Sequence, residues 1–396
     1  MNRRHFLATL AGAAALPLLR GRGAETVPAA PGALSSHRIA AIETRQISLR
    51  WPRHVGKNSK RDSHGWGPQP AVVILRTDQG AMGWGEMPGD AKALEASRAR
   101  ATGRTVAELF DPARGIVEPG LKPLDFALHD LAGVILGRPV WQMLGAPLPP
   151  PLPCYSGMIY FDDLEPAEAP AGIDAVLKNC AWDRAHGYRQ LKVKIGRGGK
   201  WMPGEPGLRR DIEVVRAIAR EFPDCTLLVD GNDAFTVETM IAFLEGIGDV
   251  PLFWIEEPFV ETVADWTRLH AWVRAHGRPA TLLADGEQHN DYAVLEELER
   301  AGVLQVRLGD IAGYGFTRWR ELLPRLGAQG VQASPHAWGS ALKTVYTAHL
   351  GAALGHMPTI EGVTTVTTDV DFGGNVLRDG QYHVSTRPGF GLSLQS

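Results

Sequence analysis

From Ile39 to about Gly85, apolar and polar residues alternate loosely, most densely in Ala71-Val72-Val73-Ile74-Leu75, with turn signals at Asp78-Gln79-Gly80 and Gly83. That period reads as two or three antiparallel strands. A polar, basic loop from Arg50 to Gly67 interrupts them and carries Arg53, His54, Lys57, Lys60, Arg61 and His64. The period then lengthens. Leu124, Leu128, Leu131 and Ile135 follow helical spacing and predict one apolar helix face, with His129 and Asp130 on the other side. Strands followed by helix make an α+β unit. The prolines at Pro147, Pro149, Pro150, Pro151 and Pro153 mark its end.

Past the prolines, short apolar runs recur at Leu152–Ile159, Leu191–Ile195, Leu227–Val229, Leu252–Ile255, Leu282–Ala284, Val303–Leu308, Val331–Ser334 and Thr359–Ile360. The connecting stretches are long enough for helices and look helical at Leu208–Phe222, Val237–Ile247 and Tyr292–Ala301. Eight strands alternating with helices predict an α/β fold, a parallel TIM-type barrel rather than an open sheet. No GxGxxG follows any of these strands, so a dinucleotide fold lacks its fingerprint.

Composition narrows the class. A chain of 396 residues with 44% hydrophobic and 21% charged residues suits a soluble barrel with a smaller partner domain. A formal net charge of -3 points to neither nucleic acid nor a membrane surface as partner. Cys154, Cys180 and Cys225 have no CxxC spacing and read as small apolar residues. The N-terminus is separate in character. Arg3-Arg4 precedes a mostly apolar run from Ala8 to Leu19, too short to span a bilayer, with small residues near Ala29. This reads as an export signal over residues 1–30 that resembles the twin-arginine type, which carries folded proteins. The expected location is the periplasm, with no membrane contact after the signal is removed. Residues 31–38 read as a linker.

The chemistry lies where the strands end. The second run ends in Lys192-Val193-Lys194, the third in Asp230-Gly231-Asn232, the fourth in Glu256-Glu257-Pro258 and the fifth in Asp285-Gly286-Glu287. The sixth ends at Asp310, the seventh at His336 and the eighth at Glu361. Successive steps from Lys194 to Glu361 are 23 to 36 residues, each the length of one βα unit. Singly, these residues have ordinary explanations as helix N-caps or solvated edge charges. Together they put ionisable groups at the same end of seven strands, where barrels carry their active sites. Alternate residues of a strand point the same way, so Lys192 and Lys194 face the axis together. Asp230, Glu256 and Glu287 converge on that axis as an oxygen-only donor set that suits Mg²⁺, whereas Zn²⁺ would favour His or Cys. Asn232 is read as a substrate-binding residue.

With these residues in place, the chain from about Ile39 to its end resembles the mandelate racemase branch of the enolase superfamily. The resemblance extends to Leu75-Arg76-Thr77-Asp78-Gln79-Gly80 with Gly83-Trp84-Gly85-Glu86, to Ala127-Leu128-His129-Asp130-Leu131-Ala132-Gly133, and to Arg387-Pro388-Gly389-Phe390-Gly391. It implies a modified (β/α)7β barrel over residues 151–365, an α+β capping domain over 39–150, and a segment 366–396 that returns to complete the cap. It also implies that Asp230, Glu256 and Glu287 bind Mg²⁺ and that Lys194 is a general base on one face of the substrate. His336, held by Asp310, becomes the acid/base on the other face, and Glu361 a hydrogen-bond donor or electrophile near the substrate carboxylate. Two positions depart from the family: Asp310 is followed by Ile311-Ala312-Gly313-Tyr314-Gly315 in place of paired glycines, and His129 stands where Trp is common.

Physical chemistry agrees with those roles. Removing a proton α to a carboxylate adds charge to an anion, which a metal can neutralise. A lysine base must be neutral near pH 7, and the Lys192 ammonium two residues away is expected to favour that. The predicted function is Mg²⁺-dependent proton abstraction from a small-molecule carboxylate, as dehydration of an aldonate or aldarate to a 2-keto-3-deoxy acid. Racemisation or epimerisation of a 2-hydroxy acid is the alternative, and a non-catalytic periplasmic acid-sugar binding protein the remote one. The sequence leaves a homo-oligomer open.

Overall fold

The computed structural model describes residues 32–287 and 291–395. The Arg3-Arg4 signal and the residues following Glu287 (288–290) lie outside the described residues.

Three antiparallel strands, β1 (Ile39–Gln46), β2 (Ala71–Thr77) and β3 (Met82–Glu86), form the N-terminal sheet in that order. Two helices pack with it, α1 (Ala91–Ala101) and α2 (Asp125–Leu136). The glycines of β3 explain how closely α2 approaches. A Cβ on Gly83 would lie 2.3 Å from the Leu131 nitrogen, and one on Gly85 would lie 2.5 Å from Phe126 Cβ. Only bare backbone lets helix and strand meet at that separation.

The expectation of a single apolar face on α2 is corrected. His129 and Asp130 are as buried as the leucines. Asp130 Oδ2 accepts from the Trp84 N–H (3.0 Å) and its Oδ1 from the Phe390 N–H (2.8 Å). One carboxylate thereby pins β3 to the Arg387-Pro388-Gly389-Phe390-Gly391 segment, and burial pushes its pKa up to about 7. The His129 ring sits between Asp125 and Arg320, with Phe110 and Phe316 edge-on at 4.6 Å each.

The larger unit has eight strands among the described residues. They are β4 (Leu152–Ile159), β5 (Gln190–Lys194), β6 (Thr226–Asp230), β7 (Leu252–Glu256), β8 (Leu282–Asp285), β9 (Val306–Arg307), β10 (Gln332–Ala333) and β11 (Ile360–Gly362). Parallel ladders run from β4 through β10, and β11 returns to pair in parallel with β4. The first seven strands are each followed by a helix: α3 (Ile173–His186), α4 (Gly204–Glu221), α5 (Val237–Gly246), α6 (Val263–Ala275), α7 (Tyr292–Arg300), α8 (Phe316–Ala328) and α9 (Ala341–Leu354). This is the (β/α)7β barrel with an α+β cap that the sequence implied.

The period-2 alternation decides what faces where. Leu191, Val193, Leu227, Val229, Ile255 and Leu283 pack outward against the helices. Tyr155, Leu228, Trp254, Ala284, Val306 and Leu308 form a separate core cluster, the filling of the barrel. Lys192 and Lys194 alternate with Leu191 and Val193, so their side chains share the barrel's inner side. The C-terminal segment crosses both units. Hairpin β12 (Val376–Arg378) and β13 (Gln381–His383) pairs antiparallel with β4, while Phe390 packs on Phe126, Phe316 and Tyr346. No helix among the described residues is long and apolar enough to cross a membrane.

Candidate active site

In-register pairing of Lys194 with Asp230 and of Asp230 with Glu256 sets three strand ends level at one rim. Lys192 Nζ stands 2.6 Å from Glu256 Oε1, 3.1 Å from Glu361 Oε1 and 3.2 Å from Asp230 Oδ2. Lys194 Nζ donates to the same Asp230 oxygen. All five side chains are at most 5% exposed. Two tyrosines line the ammonium groups, Tyr155 at 5.3 Å from Lys192 and Tyr160 at 5.5 Å from Lys194.

This geometry reverses one electrostatic expectation. Burial is the strongest influence and disfavours charge on Lys194, but Asp230 in direct contact, with Tyr160 and Glu287, together outweighs burial and the neighbouring Lys192 ammonium, so its pKa lies above the ordinary lysine value. Lys192 is raised likewise by Glu256 and Glu361. Neighbouring charge also acts on Glu361. Lys192 and His336 overcome the cost of burying its charge and hold its pKa below the usual value, while the Ala337 N–H donates to its Oε2 (2.8 Å). That direction favours Glu361 as an acceptor, where the sequence reading expected a hydrogen-bond donor or electrophile.

On the other side, His336 Nδ1 donates to Asp310 Oδ2 at 3.0 Å. Burial opposes ionisation of Asp310, but the His336 and Lys343 bonds prevail and keep it ionised, which fixes the proton on Nδ1. Nε2 is thereby turned to Glu287 Oε2 at 3.1 Å and Glu361 Oε2 at 3.9 Å. Burial pulls the His336 pKa down, yet Glu287, Glu361 and Asp310 raise it overall. Glu361 therefore stands between the two halves, within reach of Lys192 from one and His336 from the other.

Asn232 sits among these groups, but its amide donates to Glu257 Oε2 (2.9 Å) and its buried Oδ1 has no hydrogen-bond partner. Asn232, Asp233 and Glu257 all take positive φ, at 44°, 58° and 40°. Such strain is concentrated at functional sites.

The loop from Arg50 to Gly67 lies against the barrel, though its basic residues are mostly engaged there. Arg53 pairs with Asp183 (2.9 Å), Lys57 with Glu165 (2.9 Å) and Lys60 with Asp233 (2.6 Å). What the loop brings towards Lys194 is the His64 ring, 4.7 Å from Tyr160 and 5.9 Å from Trp338. Burial, with Lys194 and Arg61 nearby, lowers the His64 pKa despite its bond to the Gly56 carbonyl. Sequence reasoning assigned no part to Tyr160, Trp338, Lys343 or Glu86. Tyr160 was within reach, one residue past the end of a strand; the others declare themselves only through contacts.

Among the described residues no three His, Cys, Asp or Glu side chains stand as a ready-made chelate, since the lysine ammoniums bind Asp230 and Glu256 directly. The donor set nevertheless fits a hard divalent cation. It is carboxylate-only, and Glu287 Oε2 is buried without a hydrogen bond despite its nearness to His336. Burial and repulsion from Asp230 and Glu287 raise the Glu256 pKa well above the usual range even with Lys192 beside it.

A barrel with a cap and these groups at its rim defines a class, and comparison with known proteins identifies it. Residues 176–396 match the model of the "Enolase C-terminal domain-like" family, and the chain belongs to that family. A galacturonate dehydratase from Geobacillus sp., solved with D-galacturonate and 5-keto-4-deoxy-D-galacturonate, superposes with a TM-score of 0.84 at 30% identity, covering 91% of this chain and 95% of that one. A mandelate racemase/muconate lactonizing protein from Geobacillus sp. Y412MC10, solved with magnesium and tartrate, gives a TM-score of 0.84 at 30% identity, covering 91% and 94%. By sequence, the D-galactarolactone cycloisomerase of Agrobacterium fabrum is 26% identical over 304 residues, 72% of this chain and 75% of the relative. The chain is a mandelate racemase-like enzyme, with relatives that include acid-sugar dehydratases, cycloisomerases and epimerases.

Proposed function

We propose that this enzyme removes the proton α to a carboxylate in a Mg²⁺-dependent reaction and dehydrates an acid sugar, an aldonate or aldarate, to a 2-keto-3-deoxy acid. The observation that carries the reading is the meeting of two proton-bearing units at Glu361: the lysine pair on one side and the Asp310–His336 dyad on the other. Asp230, Glu256 and Glu287 would hold Mg²⁺, which supplies positive charge against the substrate carboxylate and against the anions that keep Lys194 protonated. Lys194 Nζ or His336 Nε2 takes the C2 proton, according to the face it lies on. The C3–oxygen bond then breaks, His336 Nε2 delivers a proton to the departing hydroxyl, and the resulting enol tautomerises to the keto acid. Lys192, anchored by three carboxylates, is placed to hold the substrate carboxylate. Tyr160, Trp338 and His64 form a wall on the Lys194 side.

Mono- and diacid sugars, incubated with enzyme and Mg²⁺, should yield 2-keto acid from at least one substrate, read by semicarbazide absorbance. Proton groups on both sides would also serve racemisation or epimerisation, the reading favoured if the product is inverted at C2, carries solvent deuterium there and contains no keto acid. Binding without any turnover across the library would leave only a binding protein.

We further propose that the mature enzyme is periplasmic, on the strength of the Arg3-Arg4 pair ahead of the apolar run. Replacing both arginines with lysine should leave folded, active enzyme in the cytoplasm. Undiminished periplasmic recovery of that variant would refute the twin-arginine route.

A further inference from the structure

Asp310 serves two cations with one oxygen. Its Oδ2 accepts from His336 Nδ1 at 3.0 Å and from Lys343 Nζ at 2.9 Å. Its Oδ1 accepts from the N–H groups of Ala312 (3.0 Å) and Gly313 (2.6 Å). Lys343 lies in the first turn of α9, whose N-cap is Ser340. The Ser340 hydroxyl donates to Glu86 Oε2 at 2.6 Å, and the Glu86 N–H donates to the Tyr346 hydroxyl at 2.9 Å. The end of β3 is thus latched to the start of α9, the turn that carries Lys343.

We propose that Lys343 is a positioning residue for the His336 half of the site: bonded to the oxygen that holds the imidazole, it fixes the plane of the Asp310 carboxylate, and the latch of Glu86 to Ser340 and Tyr346 sets the helix turn that carries Lys343. The Asp310 side chain is 19% exposed. Without Lys343, its Oδ2 can turn to water, and the Nδ1 proton is then shared between Asp310 and solvent. Nε2 loses its fixed aim at Glu287 and Glu361. A displacement of about 1 Å in such a group can cost roughly 10²-fold in rate. The catalytic consequence rests on the dehydratase reading above; the positional one does not.

Two measurements on the full-length enzyme, with and without Mg²⁺, separate these. The first follows the His336 Nδ1 proton resonance, assigned by its loss in His336→Asn. It should exchange slowly with water in the wild type, broaden in Lys343→Met and sharpen again in Lys343→Arg. A resonance in Lys343→Met as sharp as in the wild type overturns the proposal, whatever the substrate. The second compares keto-acid formation with exchange of the C2 proton into deuterated water for a substrate whose proton faces Lys194. Lys343→Met should lower kcat for keto acid by roughly 10- to 100-fold, with KM within about threefold and exchange retained, and Lys343→Arg should recover most of the rate. Equal loss of both activities would mean a merely structural role and overturn the proposal. If Lys343→Met does not fold, Lys343→Gln is read in the same way. Failure of the wild type to form keto acid from any acid sugar would sink the dehydratase reading, while the proton resonance would still decide the role of Lys343.

Discussion

His336→Asn is expected to abolish 2-keto acid formation from every acid sugar the wild type converts. It should nevertheless leave slow exchange of the C2 proton with solvent deuterium wherever that proton faces Lys194. The ring presents Nε2 to Glu287 and Glu361 because Asp310 occupies Nδ1, and an asparagine amide has no proton of suitable acidity to give a departing hydroxyl. General-acid assistance is worth about 10² to 10⁴ in rate. A loss on the order of 10³-fold, or about 4 kcal/mol of transition-state stabilisation, is therefore expected. Lys194 does not touch His336; it is held by Asp230 and flanked by Tyr160, so its half of the chemistry survives. Proton NMR in deuterium oxide reads both outcomes in one sample. Keto acid persisting near the wild-type rate in His336→Asn would overturn the assignment of His336 as the acid.

Glu256→Gln should reduce kcat/KM by ~10³-fold or more, about 4 kcal/mol, while leaving the protein folded. The amide keeps the side chain's length, and its oxygen can still accept from Trp254 Nε1, now at 3.0 Å. Lys192 retains Asp230 and Glu361. What is removed is an anionic ligand for the divalent cation. In the wild type, Mg²⁺ at about 100 times its dissociation constant should raise stability by roughly 2.7 kcal/mol, visible as a higher Tm. Glu256→Gln should lose most of that rise along with its activity. Asp230→Asn should behave differently, since Asp230 touches both buried lysines and stripping a buried ion pair of one partner costs about 3–5 kcal/mol. Its Tm should fall even without metal. Full activity in Glu256→Gln or Glu287→Gln without added Mg²⁺ would show that the ligand set is misassigned.

How far the chain spells out its own site depends on the range over which each feature is specified. Spacing and period are local, and they place residues on elements. The recurrence of apolar runs at βα intervals settled the barrel, because each run must bury one face against a helix and the other inside. Lys192 and Lys194 had to share the inner side once Leu191 and Val193 packed outward. The ionisable residues at strand ends fell to one rim because parallel strands all finish there. Charge state and burial are not local, and there the tertiary structure decided. Along the chain the nearest charge to Lys194 is Lys192, which argues for a neutral amine, but in space Asp230 from the next strand is in contact and, with Tyr160 and Glu287, reverses the sign. His129 and Asp130 look solvent-facing on a helix read alone; β3 and a loop 260 residues further on enclose Asp130 through two backbone N–H groups. The loop after Arg50 is simply a run of cations along the chain, whereas in space Asp183, Glu165 and Asp233 come to three of them. Lys343 carries no signal in its own segment and Glu86 appears only as the end of a cap motif, since what gives each its role is a partner brought near by the packing of cap on barrel. Periodicity records which way a side chain points, whereas only the packed fold decides what it meets there, because electrostatic and desolvation energies depend on separation in space rather than along the chain.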